Sequence, residues 1–211
     1  MDFDQDVPVT EDLQSPEGAT AWAAAADRRR PLRAAIRRAI TESLGALPPG
    51  ARVLELGSGP GLLAEQVLGQ CPAIASYTLF DFSEPMLTMS RRRAEAFAAA
   101  RFVLGDFRSD DWTRRAPGPY DAIVSMQAVH EVRHKRHVPR LYERIWEVLE
   151  PGGLFLVCDR TPEDDSPRST ALFLTEAEQV RALSDAGFED VRLLMAGDAL
   201  AFCSCRKPRS G

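Results

Sequence analysis

The chain alternates between short apolar runs and segments whose apolar residues recur at helical spacing. The apolar runs are bounded by Gly, Pro and Asp, and they predict seven β-strands at residues 51–56, 76–80, 101–104, 121–126, 154–158, 188–195 and 199–206. The clearest helix begins after Pro31 and carries Leu32, Ile36, Ile40 and Leu44 on one face. Strands that alternate with helices predict an α/β fold with a doubly wound, mostly parallel sheet.

The domain organisation follows from where this periodicity starts. Residues 1–18 are acidic, contain Pro8 and Pro16, and show no periodicity, so we expect a disordered tail. Residues 19–211 show no internal repeat and no break in composition, which predicts one domain whose first part, about 19–45, is a helical cap. The 211 residues, 45% of them hydrophobic, suffice for a core of ordinary size.

A glycine-rich turn follows the first predicted strand and indicates a ligand site. Gly57, Gly59 and Gly61 allow positive φ and let a ligand lie against bare main chain. Three further acidic residues, at 81, 106 and 159, end or follow strands, and in a parallel sheet such positions converge on one crevice. These features together predict that a small molecule binds at the carboxyl ends of the strands.

Two residues of the turn region argue against a pyrophosphate ligand. Pro60 removes a main-chain N–H that a phosphate would use, and Glu55 adds a negative charge beneath the turn. The spacing G-x-G-x-G also lacks the later third glycine of the dinucleotide fingerprint. We therefore expect an unphosphorylated, cationic ligand.

The charge of the chain limits the classes of partner. A formal net charge of −5 argues against a general polyanion binder. Arginine clusters at residues 28–38 and 133–140 leave RNA binding open as an alternative to solvated helix faces, but no aromatic residues interleave them. Nucleic acid is therefore not an expected partner.

Other features bear on location, cysteine chemistry and metals. No apolar run approaches the roughly 20 residues of a membrane span, and the acidic N-terminus lacks a secretory signal, so we expect a cytoplasmic protein without membrane contact. Cys203 and Cys205, on one strand, would lie about 7 Å apart, which favours core cysteines over a redox or metal motif. His130, His134 and His137 share a helical spacing, but neighbouring basic residues argue against a zinc site.

Five stretches resemble the motifs of class I S-adenosylmethionine-dependent methyltransferases, namely residues 55–61, 81–87, 105–107, 120–125 and 149–153. They stand in register over roughly residues 31–206. The resemblance implies a single Rossmann-like sheet with an antiparallel C-terminal strand. It also implies S-adenosyl-L-methionine as the cofactor and S-adenosyl-L-homocysteine as the product.

The resemblance assigns one set of residues to the amino-acid end of the cofactor. Glu55 would orient this end, and the turn residues Gly57, Ser58 and Gly59 would pass beneath it. Main chain near Ser125 would meet the methionyl amine.

A second set would bind the adenosine end. By the same resemblance, Asp81 would hold the ribose hydroxyls and Asp106 would accept a hydrogen bond from the adenine amino group. Phe82, Met86 and Phe107 would flank the ring.

The chemistry would be in-line methyl transfer to O or N of a small organic acceptor, for which a general base is optional. His130 is the first candidate base because it follows the fourth strand closely, Glu131 is the second and Asp159 the third. The alternative for His130 is a packing or orienting role. Trp22 and Arg30 are candidates for a lid over the acceptor, although Trp22 could equally anchor a helix.

Signatures that would name the acceptor are absent. The fourth strand is followed neither by Asn/Asp-Pro-Pro-Tyr/Phe nor by a Pro-Cys pair. Two alternative functions therefore stay open: a regulatory protein that binds the cofactor without transferring methyl, and an RNA-modifying methyltransferase.

Overall fold

The computed structural model of the protein describes residues 5–29 and 31–209, and for residues 26–29 it describes the backbone alone. The strands are β1 (Arg52–Leu56), β2 (Ser76–Asp81), β3 (Ala100–Leu104), β4 (Tyr120–Met126), β5 (Leu149–Arg160), β6 (Glu189–Gly197) and β7 (Leu200–Arg206). They form one sheet in the order β3-β2-β1-β4-β5-β7-β6. Neighbours from β3 to β5 are parallel, whereas β7 runs antiparallel to both β5 and β6. The predicted Rossmann-like sheet with its antiparallel C-terminal strand is thus confirmed.

Helices cover both faces of the sheet. They are α1 (Pro16–Arg29), α2 (Leu32–Gly45), α3 (Leu62–Gln70), α4 (Glu84–Ala94), α5 (Trp112–Arg115), α6 (Val138–Val148), α7 (Pro167–Leu172) and α8 (Glu176–Asp185), with 3₁₀ turns at Val129–Val132 and Lys135–His137. Strand residues alternate between the faces: Val53 packs with Ile36 of α2 and Val67 of α3, whereas Leu54 packs with Ile145 of α6. The two hydrophobic layers hold the strand ends, and therefore the crevice, in a fixed arrangement.

Three local differences from the predicted elements have physical causes. Strand β5 begins at Leu149 rather than at residue 154, because Leu149 pairs with Tyr120 before an irregularity in the ladder. Strand β3 begins at Ala100 rather than at residue 101, because Ala100 pairs with Tyr77 of β2 and the adjacent Ala99 carbonyl accepts from the Tyr77 N–H. Helices α5 and α7, of four and six residues, are too short to show a periodic pattern.

The N-terminal segment packs against the domain over the part that the structure describes. Residues 5–15 have no regular secondary structure, yet the Val7 side chain is only 2% exposed and clusters with Ala171, Leu172 and Phe173. The buried guanidinium of Arg133 donates to the Val7 and Pro8 carbonyls, at 3.0 and 2.7 Å. This arrangement differs from the disordered tail that the composition of residues 1–18 suggests, because Val7 has an apolar partner far along the chain.

The described residues contain neither a helix that could span a membrane nor a cluster of metal ligands. No helix there has both the length and the apolar character needed to cross a membrane. Within the same part of the chain, no three His, Cys, Asp or Glu side chains cluster as metal ligands. Cys203 and Cys205 are buried on β7, and burial raises the pKa of the Cys203 thiol to about 11.

Candidate functional site

The glycine-rich turn between β1 and α3 has the backbone geometry that its sequence predicts. Gly57 adopts φ +70°, and a Cβ on it would lie 2.2 Å from the Ala128 Cβ. Gly61 adopts φ +85° at the N-terminus of α3, where a Cβ would approach the Ser90 Cα to 2.9 Å. Side chains are therefore excluded at both positions, by space as well as by conformation.

Two adjoining cavities open beside this turn, and most of the predicted ligand-binding residues line them. Compartment A is bounded by residues from six segments: Leu13, Trp22, Gly57, Gly59, Asp81, Phe82, Met86, Phe107, Met126, Gln127, Ala128, His130 and Glu131. Compartment B is bounded by Trp22, Arg33, Arg37, Glu55, Gly57, Ser58, Gly59, Pro60, Leu62, Leu63 and Met126. The residues common to both show that the compartments are the two ends of one crevice.

Asp81, at the end of β2, is held by main-chain donors at the edge of compartment A. Its Oδ2 accepts from the Gly59 N–H at 2.7 Å, and its Oδ1 accepts from the Ser83 N–H at 2.9 Å. Burial raises the pKa of Asp81 to about 6, although both hydrogen bonds act in the opposite direction. The carboxyl group is thus fixed in direction and faces the crevice.

Asp106 is already engaged by a neighbour. Arg108 donates to both Asp106 oxygens, with Nε at 2.9 Å and a terminal nitrogen at 2.6 Å from Oδ2. The same guanidinium lies 5.7 Å from the centre of the Phe82 ring. A ligand that uses Asp106 would therefore share it with Arg108, a competition that local sequence pattern did not reveal.

Compartment B is lined by a buried acid and a buried arginine. Glu55 is 2% exposed and accepts a hydrogen bond from the Tyr77 hydroxyl at 2.9 Å. Burial, with the charge of Asp81 adding to it, raises the pKa of Glu55 to about 8 against the opposing effect of Tyr77. Arg33 of α2 is 7% exposed, and its guanidinium lies 5.7 Å from the centre of the Trp22 ring.

The arginines at residues 28–38 do not all form a solvated helix face. Arg33 lies on the buried side of α2, together with Ile36 and Ile40. Its type alone gave no signal that set it apart from Arg37 or Arg38. The Ser58 hydroxyl, also in compartment B, is buried and has no hydrogen-bond partner among the described residues. The compartment therefore holds a buried acid, a buried arginine and an unsatisfied hydroxyl.

Ser125 is buried within the sheet and lines neither compartment. Its hydroxyl donates to the Leu56 carbonyl at 3.1 Å, so the side chain joins β4 to β1. Gln127, two residues later, lines compartment A with φ +59°. The sequence analysis did not include Gln127 or Leu13 in the site. The positive φ of Gln127 and the position of Leu13, far from the other lining residues along the chain, leave no pattern in the local sequence.

His130 and Asp159, predicted separately as candidate bases, form a hydrogen-bonded pair. The His130 Nδ1 lies 2.6 Å from the Asp159 Oδ1, and the His130 main-chain N–H donates to Oδ2 at 2.6 Å. Phe173 packs edge-on against the imidazole with 5.4 Å between ring centres, and Glu131 Oε1 is 3.5 Å from Nε2. Burial disfavours the imidazolium, but Asp159 and Glu131 outweigh it, so the pKa of His130 is raised.

The predicted lid is described in part. Trp22, on α1, borders both compartments and lies next to the turn, 3.9 Å from where a Cβ on Gly59 would stand. Arg30 lies outside the described residues.

Comparison with known proteins identifies the family. Residues 53–153, which include the turn, Asp81 and β4, match the family model of a methyltransferase domain. Residues 53–153 thus form a methyltransferase domain of the class I S-adenosylmethionine-dependent type. S-adenosylmethionine is the cofactor of this family.

Two curated methyltransferases show the relationship in sequence. The tetracenomycin polyketide synthesis 8-O-methyl transferase of Streptomyces glaucescens is 33% identical over 74% of this chain and 49% of its own length. The ubiquinone biosynthesis O-methyltransferase of Xanthomonas campestris pv. campestris is 31% identical over 66% of this chain and 54% of its own length. The chain thus spans about half the length of these relatives.

Solved methyltransferase structures share the fold at lower identity. Human N-acetylserotonin methyltransferase, in complex with S-adenosylmethionine, aligns with a TM-score of 0.64 at 20% identity, over 93% of this chain and 55% of that one. The CurJ carbon methyltransferase aligns with a TM-score of 0.68 at 16% identity, over 82% of this chain and 53% of that one.

Proposed function

We propose that this methyltransferase moves a methyl group from S-adenosylmethionine to O or N of a small organic acceptor, with His130 as the general base. The observation that carries the proposal is the His130–Asp159 pair at the wall of compartment A. Compartment A thus combines a base, an acid that orients this base, and the glycine-lined crevice for the cofactor. Trp22 and Arg30 are proposed to cover the acceptor, on the sequence argument given above.

The residues of compartment B fit the amino-acid end of the cofactor. The ammonium group of the ligand would favour ionisation of Glu55 and pair with it, and the Arg33 guanidinium would pair with the carboxylate, because both side chains are buried and line compartment B. The Ser58 hydroxyl, which has no partner among the described residues, would gain one. Gly57 and Gly59 leave the main chain bare for this end, and main chain near Ser125 remains the proposed contact of the amine.

The residues of compartment A fit the adenosine end. Each Asp81 oxygen accepts one main-chain N–H and keeps a lone pair for a ribose hydroxyl. Phe82, Met86 and Phe107 supply flanking surfaces for the adenine ring. Asp106 would accept from the adenine amino group while sharing its charge with Arg108.

The bound cofactor supplies an electrophilic methyl group on a sulfonium sulfur. The chain contributes by holding the acceptor in a closed crevice, which for in-line reactions is worth on the order of 7–11 kcal/mol. With Nδ1–H donated to the Asp159 carboxylate, the His130 Nε2 is left as the proton acceptor. This step would contribute roughly 10²–10⁴-fold, and Glu131 is placed to stabilise the imidazolium that results.

The names of the relatives support a small acceptor. One is named for 8-O-methylation in tetracenomycin polyketide synthesis and another for O-methylation in ubiquinone biosynthesis. An oxygen acceptor also suits a histidine base, because a hydroxyl must lose its proton during transfer. Neither the regulatory nor the RNA-modifying alternative is favoured by a specific observation.

Several expectations about the whole protein remain proposals. These are the cytoplasmic location, the absence of nucleic acid and membrane partners, and a methyltransferase domain at 19–211 with a helical cap at about 19–45. They are supported by the net charge and by the helical cap of α1 and α2.

The test measures S-adenosylhomocysteine release over a panel of phenolic, enolic and amine acceptors, with wild type, His130→Gln and a control, Glu143→Gln, on the exposed face of α6. We expect His130→Gln to lower turnover about 10²–10⁴-fold on a hydroxyl acceptor while the affinity for S-adenosylhomocysteine is unchanged. Unchanged turnover would remove His130 from the mechanism. Tight cofactor binding without transfer to any acceptor would favour the regulatory alternative.

A further inference from the structure

A second cavity, of about 190 Å³, shares only Phe107 with compartment A. Its floor is apolar and aromatic, formed by Phe107 with the buried side chains of Trp112, Val132 and Leu141. Its rim carries Arg108, Arg140 and Arg144, for which we call it the arginine cavity. The proposed methyl transfer uses none of these rim residues.

The rim combines three guanidinium groups with two carboxylates, Asp6 and Asp110. Arg108 is committed to Asp106, so Arg140 and Arg144 are the arginines available to a ligand. Arg140 contacts the Asp110 carboxylate at 2.5 Å, but both side chains are more than 60% exposed, and such pairs are weak and exchange readily.

Arg144 presents a donor that the protein does not satisfy. Its terminal nitrogens donate to Glu147 and to the Asp110 carbonyl, both at 2.7 Å. Its Nε is buried and has no hydrogen-bond partner within residues 5–29 and 31–209. Because this N–H is buried, a ligand oxygen would meet the exposed part of the Arg144 side chain, which is 32% exposed and lines the cavity.

From this combination we propose that the arginine cavity binds a small aromatic carboxylate. The ring would lie on the floor of Phe107, Trp112 and Leu141, where flat apolar surface is most effectively buried. The carboxylate would meet the guanidinium groups of Arg140 and Arg144, whose planar forks match its two oxygens. A volume of about 190 Å³ accommodates a single substituted ring.

The experiment titrates benzoate into the full chain, by calorimetry or by NMR shifts, with and without saturating S-adenosylhomocysteine. Arg140→Gln and Arg144→Gln are compared with Arg114→Gln, a control on the exposed side of α5 that lies outside the cavity. Because the Arg140 side chain is largely exposed, its variant keeps the test valid if Arg144→Gln fails to fold. Benzamide and inorganic phosphate serve as probes that lack the charge or the ring.

We expect saturable benzoate binding that persists with S-adenosylhomocysteine bound and weakens about tenfold or more in each cavity variant, but not in Arg114→Gln. The proposal is overturned if benzoate does not bind, if both cavity variants bind it as wild type does, or if S-adenosylhomocysteine displaces it. Equal affinity for benzamide or for phosphate would overturn the assigned ligand class. None of these results bears on methyl transfer, which is measured separately.

Discussion

Glu55 makes the stability of the ligand-free protein depend on pH in the direction opposite to an ordinary surface acid. Its pKa in the folded state is about 8, against an ordinary 4.5, because the carboxyl group is buried. Between these values the folded state keeps a proton that the unfolded state has lost. The free energy of unfolding therefore falls as pH rises, by up to about 1.4 kcal/mol per pH unit.

Glu55→Gln removes this titration while keeping a group that can accept from the Tyr77 hydroxyl. From about pH 6 to about pH 7 we expect wild type to lose about 1 kcal/mol more stability than Glu55→Gln. Asp81, with a raised pKa of about 6, and His130, with a raised pKa, also lower stability as pH rises. Both are present in the two proteins, so the difference between wild type and variant isolates Glu55.

The assay is urea unfolding of ligand-free protein at a series of pH values and constant ionic strength, with the midpoint and slope fitted at each. Glu143→Gln, on the exposed face of α6, is the control and should follow wild type. If Glu55→Gln shows the same pH dependence as wild type, Glu55 is ionised in the folded protein and the argument from burial is refuted. A change in the slope of unfolding would instead indicate an altered denatured state.

Three further predictions concern single positions in the site. Arg33→Gln should weaken the affinity for S-adenosylhomocysteine about tenfold or more. The affinity for 5′-methylthioadenosine should not change, because this ligand lacks the amino acid. Calorimetry measures both affinities, and an equal loss for the two ligands would contradict the prediction. Asp159→Asn should shift the increase of turnover with pH to lower pH. The Asp159 carboxylate keeps the pKa of His130 raised, and His130 accepts a proton only when it is neutral. An unchanged pH profile would show that the His130–Asp159 pair does not act in catalysis. Gly57→Ala should destabilise the fold by more than the roughly 1–2 kcal/mol expected for Gly50→Ala. Gly50 also has positive φ, but a Cβ on it would have no atom within 4 Å. Equal shifts of the melting temperature would argue against the contact between a Cβ at residue 57 and Ala128.

The parts of the fold that the sequence predicts best are those set by neighbours along the chain. The N-terminus of α8, for example, has a capping box in which Thr175 and Glu178 each accept a hydrogen bond from the main chain of the other. Its hydrogen bonds close within one helical turn, so residue types at fixed spacing were enough. The early start of β5 at Leu149 depends instead on a partner strand 29 residues away, which periodicity cannot show.

The candidate site divides in the same way. The glycine turn and the acids that end β2 and β5 follow from motif and topology. The contact of Asp159 with His130 and the burial of Arg33 depend on side-chain directions that are fixed only when distant elements pack. The engagement of Asp106 by Arg108 joins residues two positions apart, but residue type alone does not show that the two side chains meet. Sequence therefore gave the candidate residues, whereas their pairing had to come from the structure.

The contacts of the N-terminal segment change where the chain can be cut or fused. A shortened protein that begins at residue 19, the boundary that composition suggests, would lose Val7 from its cluster with Phe173, the residue that packs against the His130 ring. It would also leave the buried guanidinium of Arg133 without the Val7 and Pro8 carbonyls. Domain swaps and affinity tags are therefore better joined after β7 than in place of residues 5–15, because that segment forms part of the wall behind the proposed base.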